Sequence, residues 1–206
     1  MAATTTPTTT VDPATEMGMF RSPKAATLAI LPVGAAVGAT LVAIAAANGP
    51  RSAMLPTGWS RAGISSGAAT LAYPSGWKAI PGDRGTVSFA IRDRGGRYLG
   101  YINLTPRQGA EQLAGWGAFR RRRNAEEGDK QVRELSSSEN VPFIHARGSC
   151  ILDDYLSRVG SHPYRELACI VAGRHSTSVF VGAALVEDWS KLGPVLKHAA
   201  ATLLER

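Results

Sequence analysis

The chain has 206 residues, of which 44% are hydrophobic, 19% charged and 7% aromatic, so it is long enough for one well-buried domain but short for two. Its 23 Lys and Arg against 16 Asp and Glu give a net charge of +7, far below the basic density of a dedicated nucleic-acid-binding arm. The composition excludes collagen, coiled coils and proteins that cross a membrane several times, and we expect no nucleic-acid partner.

The N-terminal region divides into two segments of opposite character. Residues 1–24 are rich in Thr, Pro and Ala, with almost no large apolar side chains before Met17. They predict a disordered tail, because they cannot bury enough surface to offset the entropy of ordering. Residues 25–47 carry no charge and are long enough to cross a bilayer as one helix.

Two interpretations of residues 25–47 remain open. A retained transmembrane anchor predicts a single-pass protein of the cell membrane, with its C-terminal domain outside the cytoplasm because Arg21 and Lys24 lie close before the segment. The other interpretation is the apolar region of a signal peptide, cleaved near Ala47 where small side chains precede the cut. That interpretation predicts a secreted protein.

A tether followed by one folded domain is predicted for the remainder. Residues 48–67 are rich in Gly, Ser, Pro and Arg and predict a flexible tether. From residue 68 to residue 206, short alternating segments punctuated by Gly and Pro are typical of an antiparallel sheet. The predicted strands cover residues 70–73, 87–92, 97–104, 131–135, 143–155, 164–172 and 176–185.

Helices are predicted at two places in this domain. The first covers residues 108–124, with Ala110, Leu113 and Trp116 on its packing side. The second closes the chain, with Pro194 in its first turn and one apolar stripe formed by Trp189, Leu192, Leu196, Ala199 and Leu203. Because a sheet must cover its apolar face, we expect an α+β domain in which helices pack on a single antiparallel sheet.

Cys150 and Cys169 are predicted to form a disulfide. A hairpin that turns at Gly160 and Ser161 sets one cysteine opposite the other or within one residue of it. Two cysteines in an exported chain are most simply one bond, which would contribute roughly 2–4 kcal/mol. Two buried free thiols are the alternative. No metal site is expected, because no second Cys/His pair has ligand spacing.

Four consecutive arginines end the first predicted helix: Arg120, Arg121, Arg122 and Arg123. At about 100° per residue they spread around the helix and cannot all meet one surface. Glutamates lie four residues after the last two arginines, which favours solvated ion pairs and a capping role at the helix C-terminus. The alternative is an anionic partner, such as an envelope polymer or lipid head groups.

Nothing in the sequence predicts a catalytic set or a cofactor. Residues 63–67 spell the Gly-x-Ser-x-Gly of a hydrolase nucleophile, but they lie in the predicted tether and not between a strand and a helix. Asp153 and Asp154 are strand neighbours that point to opposite faces, and the four histidines are scattered. A groove beside the sheet is the default ligand site, and Trp77 and Tyr155 join the arginines as binding candidates.

Several short motifs carry a resemblance to a known family. They are Tyr73 to Trp77, Tyr101 to Leu104, C-I-L-D-D-Y at 150–155, Y-R-E-L-A-C-I-V at 164–171 and the closing helix. Over about residues 68–206 the chain resembles the PsbP-like α/β sandwich family, and within it the actinobacterial LpqN-like envelope proteins. The resemblance implies a non-catalytic accessory or adaptor domain that binds partner proteins. This chain lacks the lipid-modified cysteine of LpqN-like members, so a protein segment would replace that anchor.

The predicted function is therefore that of an extracytoplasmic accessory domain, membrane-tethered or secreted, which acts by binding an envelope protein or polymer without catalysis. Two alternatives stay open. An envelope hydrolase needs a Ser or Asp within hydrogen-bond reach of a histidine in a concave pocket. A small-ligand carrier needs a deep pocket between the sheet and the helices.

Overall fold

The computed structural model describes residues 55–206, and the predicted tail and the apolar segment 25–47 lie outside the described residues. Between residues 55 and 206, no helix combines the length and apolarity needed to cross a membrane. The elements of this part are, in chain order, β1 (Trp59–Gly63), β2 (Ala69–Pro74), β3 (Lys78–Ala79), β4 (Val87–Arg92), β5 (Tyr98–Pro106), α1 (Trp116–Glu126), β6 (Lys130–Phe143), β7 (Ala146–Leu156), β8 (Pro163–Ala172), β9 (Thr177–Leu185), a 3-10 turn (Val186–Asp188), α2 (Trp189–Ala201) and β10 (Leu204–Glu205).

The strands form two antiparallel sheets. The larger has seven strands in the order β3-β4-β5-β9-β8-β7-β6, and the smaller has three in the order β1-β2-β10. The α+β class is confirmed, whereas the prediction of a single sheet is wrong. Strand β2 bonds to β1 and to the last residues of the chain, where Leu204 lies opposite Thr70 and Glu205 opposite Ala69. It therefore belongs to the smaller sheet.

Strand β1 corrects the predicted tether. Residues 59–63 pair along their whole length with β2, and Ile64 after them is only 3% exposed. The Gly-x-Ser-x-Gly string at residues 63–67 is the turn of this hairpin, closed by a hydrogen bond from the Gly67 N–H to the Ile64 carbonyl at 2.9 Å. The folded domain thus begins before residue 68.

The main core lies on the face of the large sheet that is covered by α2. Alternate residues of the central strands point to it, among them Ile102, Leu104, Leu167 and Phe180, all buried. The predicted stripe of α2 meets them, with Leu196, Ala199 and Leu203 buried and Trp189 and Leu192 partly so. Pro194 lies inside α2 and not in its first turn, because the helix already begins at Trp189.

Helix α1 covers part of the opposite face. It begins at Trp116, after Gly115 in the left-handed region at φ 70°, so the prediction that it starts at residue 108 is wrong. Gly109 also has a positive φ of 62°, and Ala110 is exposed. Trp116 is 1% exposed, and its indole Nε1–H donates to the Ala168 carbonyl at 3.0 Å, which fixes the start of α1 on strand β8.

The hairpin of β7 and β8 has the predicted register. Cys150 lies directly opposite Cys169 on β7 and β8, and the two are joined by a disulfide with Cα atoms 4.1 Å apart. The disulfide prediction is confirmed. The predicted strand over residues 143–155 is in fact the end of β6, a tight turn with His145 at φ 58°, and β7.

Candidate functional site

A cleft of about 820 Å³ opens on the α1 face of the large sheet. Its walls are the β4–β5 turn at residues 95–97, the segment after α1 at 127–129 and the β7–β8 turn at 157–162. Its floor is formed by Tyr98, Tyr101, Tyr155 and Tyr164. The volume falls within the roughly 300–1,000 Å³ typical of small-molecule sites.

Strand pairing brings three of these tyrosine side chains together, and Tyr98 adds its backbone carbonyl. Residues 101, 155 and 164 point to the α1 face from β5, β7 and β8, because side chains alternate along a strand. The Tyr101 and Tyr155 hydroxyls are hydrogen-bonded at 3.1 Å, and the Tyr164 hydroxyl donates to the Tyr98 carbonyl at 2.6 Å. The Tyr155 and Tyr164 rings stack with centroids 6.0 Å apart. These contacts hold the floor in place before any ligand arrives.

Charged side chains surround the floor. Arg97 pairs with Asp93 at 3.1 Å and Glu187 at 3.4 Å. Glu127 pairs with Arg123 at 2.8 Å. On the same wall as Glu127, the Asp129 carboxylate accepts the backbone N–H of Arg158 at 2.9 Å, which ties the segment after α1 to the β7–β8 turn.

Charged side chains also lie buried beside the floor, on the same face of the sheet. Arg120 donates to both carboxylate oxygens of Glu166, at 2.6 and 2.9 Å, and the Glu166 side chain is 1% exposed. Glu166 lies opposite Asp153 in the β7–β8 register. The Asp153 carboxylate accepts a hydrogen bond from Asn124 Nδ2 at 3.3 Å, and both residues are buried.

Burial shifts the titration of this cluster. Desolvation, reinforced by the negative charge of Glu166 and only partly offset by Arg120, raises the pKa of Asp153 to about 8, so its carboxyl is neutral at neutral pH. Desolvation likewise raises the pKa values of Tyr101 and Tyr155. Burial would lower the pKa of Arg120, but the adjacent Glu166 charge overrides this and raises it.

Two buried oxygens of this pair lack a hydrogen-bond partner among the described residues. They are Oδ1 of Asp153 and Oδ1 of Asn124, and buried polar atoms are rarely left so. A proton on Asp153 Oδ1 turns one orphaned acceptor into a donor. The neutral acid can then donate one hydrogen bond through Oδ1, while its Oδ2 accepts the bond from Asn124 Nδ2.

Each of the four predicted arginines forms an ion pair with a carboxylate. Arg122 pairs with Glu126 at 3.8 Å and Arg123 with Glu127 at 2.8 Å, in the expected i,i+4 spacing. Arg121 pairs with Glu134 at 3.1 Å. Arg120 corrects the prediction of a solvated cluster: it points inward to Glu166 because the helix places one of four consecutive residues against the sheet.

The two predicted aromatic binding residues are not neighbours. Tyr155 lies in the cleft floor, whereas Trp77 is 7% exposed and packs in the main core with the disulfide. Asp154, the neighbour of Asp153, points to the other face and pairs with Arg165 at 2.7 Å. The prediction that the two aspartates face opposite ways agrees with this geometry, whereas strand alternation does not by itself predict that Asp153 is buried.

The residues needed for the hydrolase alternative do not come together in the described part of the chain. Ser157 and His162 both line the cleft, but the Ser157 hydroxyl donates to the Val159 carbonyl at 2.8 Å and accepts the backbone N–H of His162 at 3.1 Å. Across residues 55–206 no histidine side chain is hydrogen-bonded to a Ser or Asp, and no group of three His, Cys, Asp or Glu side chains forms a metal site.

Comparison with known proteins bears on the fold. No family model matches the sequence, and neither does any curated protein. The cyanobacterial PsbP protein CyanoP from Synechocystis has a similar structure, with a TM-score of 0.51 and 16% identity over 77% of this chain and 99% of that chain. The chain therefore has the PsbP-like α+β fold that its motifs predicted.

Two further solved structures show lower similarity. LpqN, described as involved in cell envelope biogenesis of Mycobacterium tuberculosis, gives a TM-score of 0.46 at 10% identity, over 70% of this chain and 88% of that chain. A putative regulator of unknown function from Pseudomonas aeruginosa gives 0.46 at 16% identity, over 72% and 97%.

Proposed function

We propose that this chain is an extracytoplasmic accessory domain, tethered to the membrane or secreted, that binds its partner without catalysis. The observation that carries the proposal is the preformed tyrosine cleft. Its floor is fixed by the hydrogen bonds of the tyrosine hydroxyls, so that it is in place before a partner binds. Tyrosine and arginine are enriched among residues that dominate binding energies.

Support for the compartment comes from the chain's own chemistry. The uncharged segment 25–47 is suited to a membrane anchor or a signal peptide. The Cys150–Cys169 disulfide is the kind of bond that persists in oxidising compartments. The segment and the disulfide are independent features, and both favour export.

Val159 makes the cleft testable as a binding site. It stands on the β7–β8 turn that walls the cleft and is 75% exposed, an unusual position for a large aliphatic side chain. Ile144, in the β6–β7 turn at the other end of β7, is 37% exposed and serves as the matched control.

The experiment places a photo-crosslinking amino acid at Val159 or at Ile144 in the full chain, in its native host. We expect one defined adduct from position 159, identified by mass spectrometry, that is absent from position 144. Equal adduct patterns from both positions, or none from position 159, would contradict a partner-binding role for the cleft.

A further inference from the structure

The aromatic floor of the cleft is suited to a positive charge. Tyrosine faces carry negative electrostatic potential and attract cations that lie within about 6 Å of the ring centre. This chain already uses such a contact nearby, where the Arg92 guanidinium lies 4.2 Å from the Tyr98 ring centroid. Tyr101, Tyr155 and Tyr164 form a continuous aromatic cluster, with centroid distances of 6.0 and 6.4 Å.

Carboxylates beside the floor add to this preference. Asp129 and Glu127 line the cleft directly. Asp129 has no ion pair among the described residues, and its one hydrogen bond from the chain is the backbone N–H of Arg158. Desolvation raises its pKa, the hydrogen bond from the Arg158 N–H lowers it, and the charges of Glu166 and Glu127 raise it further against the smaller effect of Arg120. Asp129 therefore offers an added positive charge a carboxylate that has no ion-pair partner among the described residues.

The cations of the cleft lie on its walls. The charge of Arg97 is offset by Asp93 and Glu187. Arg158 is exposed, and among the described residues its guanidinium contacts no carboxylate. His162 lines the same wall. A ligand whose cationic end lies on the floor therefore meets a free guanidinium at the rim, where an anionic group is favoured.

We propose that the cleft binds a zwitterion whose ammonium group lies over the tyrosine floor beside Asp129 and whose anionic group contacts Arg158. The inference rests on the proposed binding role of the cleft and names the chemistry of what it binds. Both a dissolved solute and a lipid head group carry this pair of charges, and the experiment separates the two sources.

Three soluble probes measure the two halves of the site by calorimetry on the described domain, residues 55–206, after its folding is verified by circular dichroism. Choline presents the ammonium alone, inorganic phosphate the anion alone, and phosphocholine both. We expect phosphocholine to bind more tightly than choline, and inorganic phosphate to bind much more weakly than either.

Two substitutions assign the contacts. Asp129→Asn keeps an oxygen that accepts the Arg158 N–H and removes only the charge, so we expect choline and phosphocholine to bind about tenfold more weakly or worse. Arg158→Gln should weaken phosphocholine to the level of choline and leave choline unchanged. The exposed Asp83 and Arg174 provide matched controls, as Asp83→Asn and Arg174→Gln, which should change neither affinity.

Flotation with vesicles of phosphatidylcholine or of phosphatidylglycerol identifies the source. If the protein binds phosphatidylcholine vesicles and Asp129→Asn does not, the ligand is a lipid head group. If the protein binds soluble phosphocholine but no vesicles, the ligand is a dissolved solute. The proposal of a zwitterionic ligand would be overturned if inorganic phosphate bound as tightly as phosphocholine, or if neither choline nor phosphocholine bound. A position-specific Val159 adduct would then still support the binding role, so the two proposals fail separately.

Discussion

Asp153 shows how a single buried side chain couples the cleft region to pH. Its carboxyl is fully buried opposite Glu166, and its pKa of about 8 lies above the ordinary value of 3.8. The folded protein therefore holds a proton that the unfolded chain releases. The corresponding stability is present below pH 4 and is lost as the pH rises towards 8.

The substitution Asp153→Asn removes this dependence, because asparagine resembles the neutral acid at every pH. The wild-type free energy of unfolding should fall between pH 5.5 and 8.5 by up to about 1.4 kcal/mol per pH unit, while that of the variant falls less. Urea unfolding at both pH values measures the difference. Asp83→Asn, at an exposed position, should track the wild type. Equal losses of stability in the wild type and in Asp153→Asn over this pH range would contradict a neutral Asp153.

Substitution of Arg120 should lower the free energy of unfolding more than substitution of any of the three arginines that follow it. Arg120→Met leaves Glu166 charged and buried, and removing one partner of such a pair costs about 3–5 kcal/mol. Arg120→Met with Glu166→Gln should recover much of that loss. Arg122→Met, in a pair exposed on both sides, should cost less than about 1 kcal/mol. Equal losses for Arg120→Met and Arg122→Met in urea unfolding would disprove a buried pair.

At the scale of elements, the sequence predicted those strands whose two faces differ. Residues 87–92 and 164–172 alternate or run apolar, and β4 and β8 match them closely. Strand β6 carries a mostly polar sequence at the sheet edge, with three register shifts against β7, so no apolar period marks its length. Strand β1 combines Ser, Arg and Gly with half-buried positions, and composition alone made it look like a tether.

Part of the candidate site could be predicted from the sequence. The hairpin register that predicted the disulfide also sets Asp153 opposite Glu166 and Tyr155 opposite Tyr164, so these two pairings were predictable from the sequence. The contributions of Tyr101 and Arg120 could not be predicted this way, because they depend on β5 lying next to β9 and on where α1 begins. Such long-range pairing leaves no local period in the sequence.

Strand β1 yields the sharpest prediction for an element. A chain of residues 55–206 should melt cooperatively at a higher temperature than a chain of residues 68–206, which lacks β1 and the buried Ile64. Ile64→Ala in the longer chain isolates the side chain and should cost about 2–5 kcal/mol. Equal melting temperatures for the two chains would restore the tether interpretation of these residues.

For the whole molecule, the disulfide links fold stability to the compartment. Cys150 and Cys169 close a sequence separation of 19 residues across the central hairpin, and such a loop is worth about 3 kcal/mol. Reduction should therefore lower the melting temperature by roughly 6–12 °C in a domain of this size. Protein isolated from the native host under alkylating conditions should carry no labelled thiol. Labelled thiols on both cysteines would show that the domain resides in a reducing compartment.

The proposed accessory role requires the domain to lie outside the cytoplasm, and a fusion measures that directly. Residues 1–54 are joined to a reporter enzyme that is active only after export, and a second fusion lacks residues 25–47. We expect reporter activity in intact cells from the first fusion and none from the second, with equal amounts of both proteins. An inactive first fusion, present at the same level, would contradict an extracytoplasmic domain.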